Sequence, residues 1–223
     1  MKKLTVKFVN YLLVAIVITV SISCKDSVTG DPDLSESLEP VEDVHMVPGA
    51  ENTTLTVNLN KEDAYFNVQF ENIEQNDVIA NGIRDAWCID VWKPIDHNGG
   101  TYTDIELYST DRVEKWLPLN YLLNIQEELI NEDTEISWRE IQLAIWSLRA
   151  NPEFNLDEVD LVELPGEFKK SGEPNFSQEK VEEILNIVQE GYEDFDFSTG
   201  SKFAVIAAMP SDLQTFITIV EKK

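Results

Sequence analysis

Histidine and cysteine are scarce, with two of each in 223 residues. They lack zinc-ligand spacing, and no Asp-x-Asp-x-Asp-Gly calcium loop is present. Neither a metal nor a cofactor is expected. His45 and His97 lack triad-like context, which argues against a cysteine hydrolase built on Cys88. Basic residues are also few, 17 against 42 acidic ones, for a net charge of −25. Nucleic-acid binding needs cations to replace phosphate counterions, so nucleic acid is not an expected partner. The simplest use of such a surface is solubility. No internal repeat is visible, and the one long apolar run lies near the N-terminus.

That run, residues 11–20, follows a basic stretch with Lys2, Lys3 and Lys7 and precedes Ser21, Ser23 and Cys24. It is short for a membrane span and has the order of an export signal. The stretch resembles a bacterial lipoprotein signal, in which the cysteine becomes the lipid-modified first residue. Ser21 departs from the usual Leu three positions before that cysteine. The resemblance implies a signal peptide over 1–23, lipid on Cys24 and attachment to a bacterial membrane. An outer-membrane or cell-surface location is expected. Removing three lysines leaves 14 basic against 42 acidic residues, a side-chain charge of −28. With Cys24 lipidated, Cys88 has no disulfide partner, which is unusual outside the cytoplasm.

Residues 24–50 are rich in Ser, Asp, Glu and Pro and read as a disordered acidic tether. The folded domain is expected over 51–223. Alternation predicts strands at 53–59 and 65–70, and residues 87–92 read as an interior strand. Residues 101–108 are a further strand candidate, and apolar spacing predicts a helix over 119–129. Ser137 and Glu140 form a capping box, and Trp138, Ile141, Ile145 and Leu148 then make one core-facing stripe that includes Gln142. Leu161 to Leu164 read as a possible short strand, and a helix runs from Ser177 towards a Gly191 cap. Residues 203–209 and 215–220 close the chain as an antiparallel pair. Strands, helices, then strands indicate an α+β domain: an antiparallel β-sandwich or barrel-like sheet with a helical insertion.

A buried glutamine must satisfy up to four hydrogen bonds, and an apolar strand cysteine is most often plain core. Together the two are more specific. Trp87, Cys88, Ile89 and Asp90, with the run from Ile141 through Gln142 to Trp146, resemble the bacterial Cys–Gln thioester domains (TQXA domains) of surface adhesins. Tyr108, Ser109, Trp116, Asn120 to Asn124 and Gln214 support the resemblance, which covers about residues 55–221. The family's name-giving Thr before the glutamine is Ile141 here.

The resemblance implies an internal thioester between Cys88 and Gln142, with acyl transfer to an amine or hydroxyl on a partner surface. Such a protein is a single-turnover covalent binder rather than an enzyme. Trp87, Trp92 and Trp146 are candidates to shield the bond, and Asp90 to position an amine or orient Gln142. Each has an equally plain reading, as core or as a strand-end carboxylate. A non-covalent extracytoplasmic binding lipoprotein, with Cys88 and Gln142 purely structural, stands as the alternative.

Overall fold

The structure is a computed structural model that describes residues 44–150, 153–198 and 201–222. The expected signal peptide, Cys24 and the tether up to residue 43 lie outside the described residues. The chain folds as strands β1 (His45–Met46), β2 (Thr53–Leu59), β3 (Phe66–Glu71), β4 (Gly82–Cys88) and β5 (Asn98–Ser109). Helices α1 (Leu117–Glu132) and α2 (Trp138–Arg149) follow. Next come the two-residue strands β6 (Lys169–Lys170) and β7 (Glu173–Pro174), helix α3 (Gln178–Gly191), and strands β8 (Lys202–Ala208) and β9 (Phe216–Glu221).

Six strands close an antiparallel barrel. Neighbours run β5-β2-β3-β4-β9-β8, and β8 returns to β5 through Leu107 opposite Ala207 and Ser109 opposite Val205. Closure leaves no long unpaired edge. Period-two alternation puts Leu55 opposite Phe70, Val57 opposite Val68 and Leu59 opposite Phe66, which builds an apolar lining. The α+β expectation holds, with the sheet closed as a barrel and the helices inserted between β5 and β8.

The fold takes in residues that composition assigns to the tether. Residues 44–50, assigned above to the tether, carry β1, which pairs with the end of β5. Val47 and Ala50 are buried in the core. A few apolar residues in a polar stretch were enough to dock it.

The insertion is pinned to the barrel by two asparagines, Asn120 buried and Asn124 half-buried. Asn120 Oδ1 accepts from Ala204 N at 2.9 Å and from Thr110 Oγ1 at 3.1 Å. Asn124 exchanges two 2.7 Å bonds with the backbone of Lys202. These side chains dock α1 onto β8, where unpaired backbone groups would be costly.

Helix α2 starts at the expected capping box. Ser137 Oγ accepts from Arg139 N, and Glu140 Oε2 accepts from Ser137 N at 2.8 Å. The buried Glu140 also accepts from Ser177 N at 2.9 Å, tying α2 to the start of α3. Burial extends round the helix, from Glu140 through Trp146, rather than along one stripe. The reason is that α2 packs against α1, α3 and β4 together.

Helix α3 includes Gly191, and the terminal cap is Tyr192. A side chain at Gly191 would collide with the Tyr121 hydroxyl, so the glycine serves a close approach rather than a turn. Residues 161–163 form a 3-10 turn, not a strand, because Asp160 and Glu163 cap it reciprocally. Among the described residues no helix is long and apolar enough to cross a membrane.

Candidate functional site

Cys88 is the last residue of β4. Its neighbour Ile89 donates to Thr215 O at 3.0 Å, on the β9 side. Successive residues of an antiparallel strand turn their backbone groups to opposite neighbours. The N–H and C=O of Cys88 therefore face the β3 side. There β3 begins only at Phe66, which sits opposite Ala86. Cys88 stands two residues beyond that last pair.

Gln142 occupies that vacancy. Its Oε1 accepts from Cys88 N at 3.2 Å, and its Nε2 donates to Cys88 O at 2.8 Å. The side-chain amide thus replaces the missing strand. The same arrangement brings Cys88 Sγ to 4.0 Å from Gln142 Oε1. Both residues are fully buried, at 0% exposure.

The surroundings keep the sulfur protonated. Burial pushes the Cys88 thiol well above its ordinary value, and the Asp90 carboxylate adds to the shift. The Trp146 indole, acting on the sulfur, pulls the other way. Trp146 is itself fully buried, and its Nε1 has no hydrogen-bond partner. No histidine is among the groups acting on the thiol.

Residues 89–92 are not part of the strand, contrary to the expectation from composition. The chain leaves the sheet after Cys88, and Asp90 turns its carboxylate to Thr215 N, 2.5 Å from Oδ2. Lys93 Nζ lies 3.4 Å from Asp90 Oδ1, and both side chains are almost wholly buried. This ion pair and the Thr215 bond hold the strand exit against the start of β9. Asp90 therefore does not share a strand face with Cys88, although its charge reaches the sulfur. Burial also holds the Asp90 carboxyl above the usual carboxylate range, and the Thr215 N–H and Lys93 partly offset this.

No family model matches the chain. No curated protein matches it in sequence either. Its fold is similar to that of the N-terminal thioester domain of fibronectin-binding protein SfbI from Streptococcus pyogenes, at 13% identity and a TM-score of 0.43, over 77% of this chain and 93% of that one. At 13% identity, residue roles rest on this chain's own geometry.

The other expected residues divide by position. Trp146 stands at the sulfur. Trp87, which alternates with Cys88 along β4, lines a groove on the outer face of the barrel instead. Trp92 is half-buried near Phe154, with ring centroids 6.4 Å apart. Gln214 lies just before β9, and its N–H donates to Pro94 O at 3.3 Å, which closes the strand exit beside Asp90.

Two neighbours of the pair carried no signal in the sequence. Tyr65 stacks on Trp138 at 5.1 Å and meets Trp146 edge-on at 6.4 Å. Burial raises its hydroxyl pKa, with added contributions from Cys88 and Glu167. Lys93 is buried by the path of the loop after β4. Among the described residues no group of three or more metal-ligating side chains is placed to hold an ion.

Proposed function

We propose that Cys88 and Gln142 form an internal thioester, through which this chain attaches covalently to a partner surface. The observation carrying this reading is the placement of the Gln142 amide on Cys88, with sulfur and amide oxygen 4.0 Å apart in a fully buried site. Proximity of this kind replaces a bimolecular encounter.

The chemistry balances with these two groups alone. The Cys88 sulfur bonds to the Gln142 side-chain carbonyl carbon, and the amide nitrogen leaves as ammonia with the thiol proton. A partner amine then takes the acyl group, the C–S bond breaks, and Cys88 returns as a thiol. The product is one amide link per molecule, so the protein acts once. A hydroxyl partner would give an ester by the same route. The buried thiol is a poor nucleophile while protonated. The Trp146 indole and the Cys88 backbone, the two groups that pull its pKa down, favour the anionic sulfur during attack. Burial then shields the thioester from water until a partner opens the site.

In this reading lipid on Cys24 and the acidic tether hold the domain at a bacterial surface. The partner is an amine- or hydroxyl-bearing surface molecule.

A second reading has its own observation. Gln142 already satisfies both free backbone groups of Cys88, and losing ammonia would remove the donor to Cys88 O. The pair would then be purely structural, within a non-covalent binding lipoprotein.

Intact mass separates the two. The purified protein should weigh one ammonia less than its mature sequence with the Cys24 lipid included, and Cys88→Ala should show no such deficit. Methylamine should add its own mass to the wild type and expose one alkylatable thiol. Full mass in fresh wild-type protein, with no methylamine adduct, would sink the covalent reading.

A further inference from the structure

A second feature lies behind the pair, on the outer face of β4 and β9 under α1. It is a groove of about 1020 Å³. Its floor includes Trp87, one residue before Cys88, and Trp138, one helical turn before Gln142. Ile83, 68% exposed, stands where this groove meets a smaller depression of about 280 Å³. Ile83 offers one apolar side chain at the junction of the two hollows.

Three buried polar side chains lining the groove hold an atom with no partner. Gln126, 6% exposed, has an Oε1 that no donor reaches. The indole N–H groups of Trp87 and Trp138, both 2% exposed, have no acceptor. Buried polar groups are normally satisfied, and three exceptions lining one groove point to a ligand with both donors and acceptors.

Charge narrows the ligand. The lining holds five carboxylates and three basic groups. Lys202 is paired with Glu127, and Lys222 reaches away to Asp111. Glu62, Asp63 and Asp85 are left on the rim without a basic partner among the described residues. Asp85 Oδ1 accepts from Asn60 and Asn67 at 2.9 and 3.1 Å; burial first and then the nearby Asp63 raise its carboxyl, and a cation relieves the like-charge part. Indole faces also attract ammonium groups.

We propose that this groove docks an extended, lysine-bearing peptide segment of the partner. The segment's ammonium groups meet Asp63, Asp85 and the Gln126 carbonyl. Its backbone carbonyls take the orphaned N–H groups, and its apolar atoms cover Ile83. The inference rests on the covalent reading for its biological sense, since it places the partner against the two elements that carry Cys88 and Gln142. Its physical content stands without the bond.

The test uses Cys88→Ala protein, which cannot form a thioester, so docking is read independently of the covalent step. A short peptide alternating lysine and glycine is titrated while tryptophan fluorescence and calorimetry are followed. Saturable one-to-one binding is expected, and Asp63→Asn with Asp85→Asn together should weaken it about tenfold or more. Acetylating the lysines should abolish it. Glu179→Gln with Glu182→Gln on α3 should change it less than twofold.

Three results would overturn the proposal. One is no binding. Another is equal binding of the acetylated peptide. The third is an equal loss from the α3 variant, which would mean attraction to the whole acidic chain. Concentration-dependent dimerisation removed by Ile83→Asp, without peptide binding, would assign the groove to a second copy and likewise overturn it.

Discussion

The side-chain amide of Gln142 pairs with both backbone groups of Cys88, at 3.2 and 2.8 Å, in the position a neighbouring strand would occupy. One residue therefore completes the sheet and presents its carbonyl to a thiol.

The first prediction separates those roles. In a Cys88→Ala background, where no thioester can form, Gln142→Ala leaves the residue-88 N–H and C=O buried and unpaired. The expected loss is about 1–3 kcal/mol for each group. Urea denaturation measures it. A loss under half a kilocalorie would show that Gln142 does not serve as the missing strand.

Alkaline pH should destabilise protein whose Cys88 is a free thiol, as after methylamine treatment. The folded thiol holds its proton above its ordinary value of 9.0. Below that value both states are protonated, and the group adds no pH dependence. Above it the unfolded chain releases its proton first, so stability falls as pH rises. The slope is about 1.4 kcal/mol per pH unit until the folded thiol ionises too. Tyr65, whose hydroxyl is also raised from 10.0, adds a second decline at higher pH. Denaturation midpoints from pH 7 to pH 11 should show a shallower decline for Cys88→Ala.

The buried Asp90–Lys93 pair should behave as a unit. Removing one charge strands the other, and Asp90→Asn or Lys93→Met alone should cost about 3–5 kcal/mol. Both together should cost clearly less than the sum. A double-mutant cycle with additive losses would show that the two side chains do not interact.

Trp146→Phe keeps an aromatic ring at the sulfur and removes its N–H. The folded protein should form the thioester more slowly, read as the rise of the ammonia-loss mass after refolding. Circular dichroism should report an intact fold. An unchanged rate would remove the indole from the chemistry.

The sequence carried the local code. Alternation marked most strands, Ser137 and Glu140 marked the start of α2, and the rarity of cysteine singled out Cys88. Where it misled, tertiary contact outweighed local preference. Residues 87–92 are β-prone, yet the strand ends at Cys88 because Asp90 and Lys93 pair with each other and Asp90 takes the N–H of Thr215, 125 residues away. Val47 and Ala50 sit in a polar stretch, yet β1 docks them.

By itself, then, the sequence determined the α+β class, the helical insertion between strands, and the two residue types whose meeting would matter. Their spacing of 54 positions held no distance information. Only the barrel's register could leave the backbone of Cys88 without a strand, and only the packing of α2 could bring Gln142 to fill that place. A hydrogen bond between remote segments depends on where chain ends fall in three dimensions, which no local propensity encodes.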